Sequence, residues 1–231
     1  MKIHIISIFL LLLTNLLFSQ EKKTAEIKIF SNDNLIIDVN YDSWLNTPSN
    51  VTLKPYSRGI NISYLETLLG QHSNISLAAG FGISCQNYFI DATPEIDNQG
   101  VTSFVNIPDN IDYKTNKLAT TYIELPVEIR LRTNKASRKD KSFKIFAGFK
   151  AGYLVNNHTK YNGDNIDGSG KEIKIKQYNI DNIQKYHYGV SARIGYGKFN
   201  ITGFYSLTQM FEKDKGPDIT PFSVGLSISP F

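Results

Sequence analysis

The strongest constraint on the fold is a strand-like alternation in which charged residues oppose an apolar face. Within Thr120–Thr133, TTYIELPVEIRLRT, the odd positions from Ile123 to Leu131 are all apolar. The even positions carry four charges, namely Glu124, Glu128, Arg130 and Arg132. Because successive side chains of a β-strand point to opposite faces, this spacing predicts a strand with one oily and one charged face. In a soluble sheet the charges would meet water, whereas in a transmembrane barrel the oily face would meet lipid.

The same alternation occurs eight times between Leu35 and Ile228, and clusters of Gly, Asn, Asp and Pro separate the repeats. The predicted strands lie at about 35–42, 59–64, 75–86, 120–133, 143–153, 186–196, 199–208 and 222–228. Several reach the 9 to 11 residues that a tilted membrane-crossing strand requires. The sequence thus predicts an all-β, eight-stranded, antiparallel up-and-down transmembrane β-barrel with a filled polar lumen. A soluble β-sandwich or a lipocalin-like barrel, with the apolar faces turned inward, is the alternative.

The lengths of the connections support the membrane barrel. The connections after the first, third, fifth and seventh strands run about 46–56, 87–119, 155–184 and 209–220. Those after the second, fourth and sixth run about 66–74, 134–142 and 197–198. The first set is generally longer, as in outer-membrane barrels with long extracellular loops and short periplasmic turns.

This polarity predicts two groups of side chains, one inside the barrel and one at the membrane surfaces. A lumen charge network is predicted from Asp38, Asp42, Glu124, Glu128, Arg130, Arg132, Lys144, Lys150 and Arg193. An aromatic girdle at the membrane surfaces is predicted from Tyr41, Tyr64, Tyr153, Tyr186, Tyr188, Tyr196 and Tyr205. Buried charges must be paired or hydrogen-bonded, and the similar numbers of the two signs permit pairing.

The beginning of the chain has the three parts of a secretory signal peptide: Lys2, an apolar run from Ile3 to Phe18, and the small residue Ser19. The predicted organisation is a signal peptide at 1–19, a periplasmic lead-in at 20–34 and a barrel domain at 35–231; a retained transmembrane helix is the alternative for the first segment. Phe231 is expected to serve as a C-terminal assembly signal. Without Lys2 the chain has 24 basic and 21 acidic residues, a balance that makes no case for nucleic acid.

The stretches KLATTYIELPVEIRLRT, FKIFAGFKAGYLVNNHTKY and GKFNITGFYSLTQMFEKDKGPDITPFSVGLSISPF resemble the PorT-like outer membrane β-barrel proteins of the porin family. The resemblance covers about Leu35 to Phe231, and its most specific piece is the aromatic-x-Glu-Leu-Pro-x-Glu strand at Tyr122–Glu128. It implies an eight-stranded barrel in the outer membrane of a Gram-negative cell. It supplies no catalytic residues, and a role in protein secretion, known for the family's namesake, stays open.

Candidate chemistry is sparse. Cys85 is the only cysteine, which excludes an internal disulfide and a cysteine-built metal site. His72, His158 and His187 show no metal-ligand spacing; His158 and His187 leave open a lipid-modifying enzyme, because some eight-stranded barrels use a rim histidine. Gly163–Lys171 offers oxygen ligands but not the order of a full calcium loop. No catalytic residue, metal or cofactor is therefore predicted.

The sequence favours a non-enzymatic barrel with a structural, interaction or envelope-assembly role. A small-solute porin and an outer-membrane lipid-modifying enzyme are the alternatives. The expected partners are outer-membrane lipid, the barrel-assembly machinery and another envelope protein. The basic turn Asn134–Ser142 and the last outer loop, Gln209–Pro221, are candidate surfaces for the protein partner.

Overall fold

The computed structural model describes residues 34–71, 73–133, 142–165 and 169–229. These ranges contain eleven β-strands: β1 Leu35–Leu45, β2 Arg58–Leu69, β3 Ile75–Phe89, β4 Ala92–Ile96, β5 Thr102–Asn106, β6 Tyr113–Arg132, β7 Phe143–Asp164, β8 Glu172–Tyr178, β9 Tyr186–Tyr196, β10 Phe199–Ser206 and β11 Thr220–Ile228. Within them no helix is both long and apolar enough to cross a membrane. The predicted signal peptide, most of the lead-in, His72 and Phe231 lie outside the described residues.

Eight of these strands close a barrel. Neighbouring strands follow the order β6, β3, β2, β1, β11, β10, β9, β7, and β7 pairs with β6 to complete the ring. Every one of these pairings is antiparallel. Closure leaves no unpaired strand edge facing lipid in the wall of the barrel. The predicted eight-stranded antiparallel barrel is confirmed.

The wall has the inverted polarity that the alternation predicted. Leu125 is 62% exposed and points outward, while the adjacent Glu124 is 1% exposed and points inward. The same contrast holds on β3, where Phe81 is outside and Ser84 is inside. Oily side chains therefore cover the outer surface and polar ones fill the lumen, as lipid outside and a narrow interior require.

Short turns mark one end of the barrel. They lie between β2 and β3, between β6 and β7, and between β9 and β10, close to the predicted positions. The shortest joins β9 to β10, and Gly197 there has a φ of 62°, a conformation that favours glycine. This end faces the periplasm, and the long connections emerge on the extracellular side.

The long connections are not open loops, which corrects the predicted boundaries. β3, β6 and β7 continue beyond the barrel wall, β4 and β5 form a hairpin, and β8 pairs with the upper part of β7. We call these extensions, together with the other extracellular connections, the crown. The extensions of β6 and β7 escaped prediction because their residues are mostly polar on both faces. A register shift near Val155, where Thr121 pairs with Asn156 but Tyr122 with Leu154, also reverses the parity of β7.

An apolar cluster closes the extracellular end of the lumen. It comprises the buried residues Trp44, Val51, Tyr88, Ile90, Ala92, Phe104, Leu118, Ile183, Met210, Phe211 and Ile219. The Trp44 ring lies 4.9 Å from Tyr88 and 5.9 Å from Phe104, and Phe104 meets Phe211 edge-on at 6.0 Å. We call this cluster the cap. It ties the ends of β1, β3 and β6 to the β4–β5 hairpin and to the connection before β11.

Candidate functional site

All nine residues of the predicted lumen network are buried inside the barrel. The structure brings five of them into two ion clusters, one around Glu128 and one around Glu124, and places the other four apart from these pairs. The clusters belong to the aromatic-x-Glu-Leu-Pro-x-Glu strand, whose two glutamates point inward from β6. Pro126 lies between them, where the pairing of β3 with β6 lapses at Gly80 and Phe81. Such a gap suits a residue that lacks a backbone N–H.

Glu128 holds two arginines in the lower cluster. Arg193, from β9, donates through Nη2 to both carboxylate oxygens, at 2.8 and 2.7 Å. Arg130 donates through Nε to Oε1 at 2.5 Å. The guanidinium of Arg193 also lies 4.4 Å from the ring centre of Phe146, a favourable cation–π distance. The cluster therefore joins β6 to β9 across the lumen with charge-assisted hydrogen bonds.

Glu124 is the centre of the second cluster. Lys150 Nζ lies 3.4 Å from Oε2, and His187 Nε2 lies 3.2 Å from Oε1. Neither contact has the geometry of a well-directed hydrogen bond, so the contact between Lys150 and Glu124 is mainly electrostatic. The His187 ring stacks on Tyr122 at 4.0 Å. Gly152 makes room for it, since a Cβ there would meet the imidazole at 2.4 Å.

His187 is the member of this network that the sequence did not identify. The available signal was its position on the polar face of β9, among the other inward residues of the strand. His158 lies on the outer face of the crown extension of β7, where its Nδ1 is 3.0 Å from Asn156 Oδ1. The two histidines consequently lie on opposite faces of the wall and do not form one site.

The remaining predicted charges have separate surroundings. Asp42 accepts hydrogen bonds from Ser223 Oγ at 2.8 Å and from the Asn87 backbone N–H at 3.3 Å. Arg132 donates to Ser76 Oγ at 3.1 Å. Lys144 is buried near the periplasmic end. Asp38 Oδ1 has no hydrogen-bond partner and borders an internal cavity of about 20 Å³, room for one water molecule.

The predicted girdle divides between the two ends of the barrel. Tyr41, Tyr186, Tyr188 and Tyr205 lie outside near the extracellular ends of their strands, and Tyr64 and Tyr196 lie nearer the periplasmic end. Tyr153 lies in the middle of β7 as the cross-strand partner of Tyr186. Phe143 and Phe199, which the sequence reading did not include, extend the lower group as neighbours of Tyr196. Two rows of outward rings flank the apolar band, as aromatic belts do at membrane surfaces.

The other predicted surfaces have mixed outcomes. Gly163 and Asp164 end β7, but residues 166–168 lie outside the description, as does most of the basic turn Asn134–Ser142. Much of Gln209–Pro221 packs inward, because Met210, Phe211 and Ile219 belong to the cap. Among the described residues no group of three or more His, Cys, Asp or Glu side chains could hold a metal ion.

A closed barrel with an oily outer wall, ring girdles and a charge-filled lumen defines an integral outer-membrane β-barrel protein. The family described as outer membrane protein beta-barrel domain matches residues 18–212, and the chain belongs to this family. Its location is the cell outer membrane.

Comparison with individual proteins adds little to the family match. No curated protein is similar enough to the chain to count as a match. Among solved structures, the chain is similar to Ail, the attachment invasion locus protein of Yersinia pestis, in complex with the heparin analogue sucrose octasulfate. The identity is 12%, the alignment covers 84% of this chain and 96% of Ail, and the TM-score is 0.33. The family match alone carries the assignment.

Proposed function

We propose that this protein is a non-enzymatic, PorT-like outer-membrane barrel that presents its crown to a partner in the cell envelope. The observation that carries the proposal is the closure of the interior: ion clusters fill the lumen and the cap covers its extracellular end. A barrel closed in this way has its contact surfaces on the crown and on the lipid-facing wall. The barrel-assembly machinery is its expected partner during insertion, after removal of a signal peptide at 1–19.

The crown has the features of a contact surface. Val105 on β5 and Ile175 on β8 are apolar side chains, and they are 46% and 48% exposed. Both lie beyond the apolar band of the wall that faces lipid. The strands beneath them are held by the cap and by an ion pair between Lys114 and Glu172. A surface that is ordered before binding loses less conformational entropy when a partner docks.

Photo-crosslinking in intact cells tests the interaction role. A photoreactive amino acid at Val105 or Ile175 is expected to give a defined protein adduct, whereas the same group at the lipid-facing Leu125 should react mainly with lipid. Gel mobility and mass spectrometry of the adducts provide the measurement. If both crown positions yield only unmodified protein while the Leu125 variant reacts, the crown has no protein partner and the proposal fails.

Conductance recording tests the transport alternative. Because Arg130 and Glu124 are almost fully buried across the narrow interior and the cap covers one end, the purified barrel in a planar bilayer should show no current steps above the baseline. A preparation that migrates differently on gels with and without heating confirms that the sample is folded. Steady, reproducible conductance steps from such a sample would contradict the closed-lumen proposal.

A further inference from the structure

Four cations gather on the outside of the barrel at the base of the crown. Lys117 on β6 is the direct cross-strand partner of Lys160 on β7, which in turn pairs with Lys176 on β8. Arg58 on β2 lies beside them, and its backbone carbonyl accepts a hydrogen bond from Asn87 Nδ2. We call Arg58, Lys117, Lys160 and Lys176 the cationic face.

Register places this face on the lipid side of the wall. Lys117 belongs to the same odd series of β6 as the outward Ile123 and Leu125, and Arg58 pairs with the girdle residue Tyr41. Cross-strand partners project to the same side of a sheet. The face therefore starts at the level of the aromatic girdle on β2. Because barrel strands are tilted, its residues on β6, β7 and β8 lie farther out, in the headgroup region of the membrane.

No carboxylate of the described residues pairs with these cations. Within the described part of the chain, none of the four forms an ion pair, and the one ion pair of Glu172 on β8 is made with Lys114. Like charges directly opposite each other destabilise a sheet. Partial burial, followed by repulsion from Lys160, Lys176 and Arg58, lowers the pKa of Lys117. This repulsion lowers the stability of the isolated protein, and the binding of an anion restores that stability.

Aromatic rings and an amide, rather than acids, hold three of the four cations in place. Lys117 Nζ donates to Asn87 Oδ1 at 2.6 Å and lies 5.6 Å from the centre of the Phe89 ring. Arg58 Cζ lies 5.9 Å from the same ring, and Lys176 Nζ lies 4.5 Å from the centre of Tyr178. These contacts fix the positions of the charges without neutralising them, as a preorganised anion site requires.

His158 is a titratable neighbour of the cationic face. Its ring lies 5.6 Å from Tyr178, and partial burial, together with the positive charges of Lys176, Lys117 and Lys160, lowers its pKa. The neighbouring cations therefore disfavour protonation of this imidazole. Its Nδ1 already contacts Asn156, which leaves the lysines as the groups that meet an anion.

We propose that the cationic face binds the phosphate groups of a multiply phosphorylated lipid headgroup in the outer leaflet of the membrane. The face is continuous with the lipid-facing wall, so a lipid whose acyl chains lie against the apolar band presents its phosphates at this height. Basic residues near a membrane surface attract anionic headgroups, and cations spread over the four strands β2, β6, β7 and β8 suit a headgroup with more than one phosphate.

The test measures lipid retention by the full-length barrel. Wild-type protein is reconstituted in phosphatidylcholine nanodiscs that contain a small fraction of diphosphorylated lipid A, and the bound lipid is quantified by native mass spectrometry. The variant K117Q/K160Q/K176Q is expected to lose about tenfold or more of the bound lipid, because each basic group contributes separately to headgroup attraction. The matched control K171Q/K213Q/K215Q removes the same charge from exposed lysines of the crown outside the cationic face and should retain the wild-type level.

Two further arms distinguish the source of the phosphate and the state of the protein. Dephosphorylated lipid A should bind no better than phosphatidylcholine, and inorganic phosphate should not displace the lipid at equal concentration. Retention by the triple variant, equal retention of the dephosphorylated lipid, or displacement by inorganic phosphate would each overturn the proposal. Gel mobility with and without heating shows that both variants are folded barrels, so a loss of lipid cannot be attributed to misfolding.

Discussion

Glu128→Ala is expected to lower the free energy of unfolding of the barrel by about 3–5 kcal/mol, because removal of one partner of a buried ion pair leaves the other charge uncompensated. In the wild type, Arg193 makes two hydrogen bonds with this carboxylate. After the substitution it keeps a 3.5 Å contact with Ser227 Oγ and the Phe146 ring. Urea unfolding of the refolded protein in detergent micelles, followed by tryptophan fluorescence and by gel mobility, measures the change.

Control variants separate the ion cluster from a general loss of charge. Glu95→Ala removes a carboxylate from the exposed side of β4 and should change stability by no more than about 0.5 kcal/mol. In the double variant E128A/R193M both members of the two-hydrogen-bond pair are absent and Arg130 is the one charge of this cluster that remains, so part of the lost stability should return, since a buried pair replaced by apolar groups is often nearly neutral. A Glu128→Ala protein within about 1 kcal/mol of wild type would show that the lumen is wet enough to solvate Arg193. If Glu128→Ala does not refold, recovery of folding in the double variant would show that the uncompensated charge of Arg193 destabilises the single variant.

The polarity of the wall could be predicted because each barrel strand repeats the same rule over many residues. In β6 the odd positions meet lipid and the even ones meet the lumen, so a single alternation assigns Ile123 outward and Glu124 inward. β9 and its short turn were predicted at their observed positions, because Gly197 follows the last aromatic residue of an unbroken alternation. Repetition of this kind fixes which face a residue occupies before any partner strand is known.

The pairing of charges inside the lumen could not be predicted in the same way. Periodicity places Glu128 and Arg193 on inward faces, but which cation reaches which carboxylate depends on the register of strands far apart in sequence. The contact between Glu124 and His187 also needs Gly152, which lies on a third strand. Such combinations arise only when the ring is closed, and the sequence of any one strand does not contain them.

The sequence does contain one sign of the cap, which is a change from polar to apolar residues on the inward faces of β1 and β3. Along β1 the inward series runs Asp38, Asn40, Asp42 and then Trp44; along β3 it changes from Gln86 to Tyr88. An inward face that turns from polar to apolar near its extracellular end indicates that something oily fills the barrel mouth. The elements that supply the rest of the cap, including the β4–β5 hairpin, come from segments without strong periodicity, so their packing could not be foreseen.

Trp44→Ala is expected to open this cap and to cost about 3–5 kcal/mol, the range for truncation of a large buried aromatic residue. Trp44 is 5% exposed and contacts both Tyr88 and Phe104, so its loss leaves a cavity between the barrel wall and the β4–β5 hairpin. Because the wall has its own backbone pairing, we expect the crown to loosen first. Limited proteolysis should then cut the crown while the barrel still changes mobility on heating, and urea unfolding should show the lower stability.

The adjacent position Val105 supplies the matched control for this experiment. It follows Phe104 on β5, but its side chain is 46% exposed, so Val105→Ala should leave proteolysis unchanged and stability within about 0.5 kcal/mol. Trp44→Phe retains a ring in the cap and should lose less stability than Trp44→Ala. If Trp44→Ala resists protease as well as the wild type does, the crown does not depend on the cap, and its order must come from the strand extensions of β6 and β7 alone. Sensitivity in Trp44→Ala, with resistance in both other variants, would establish that the oily contacts at the barrel mouth hold the extracellular surface in place.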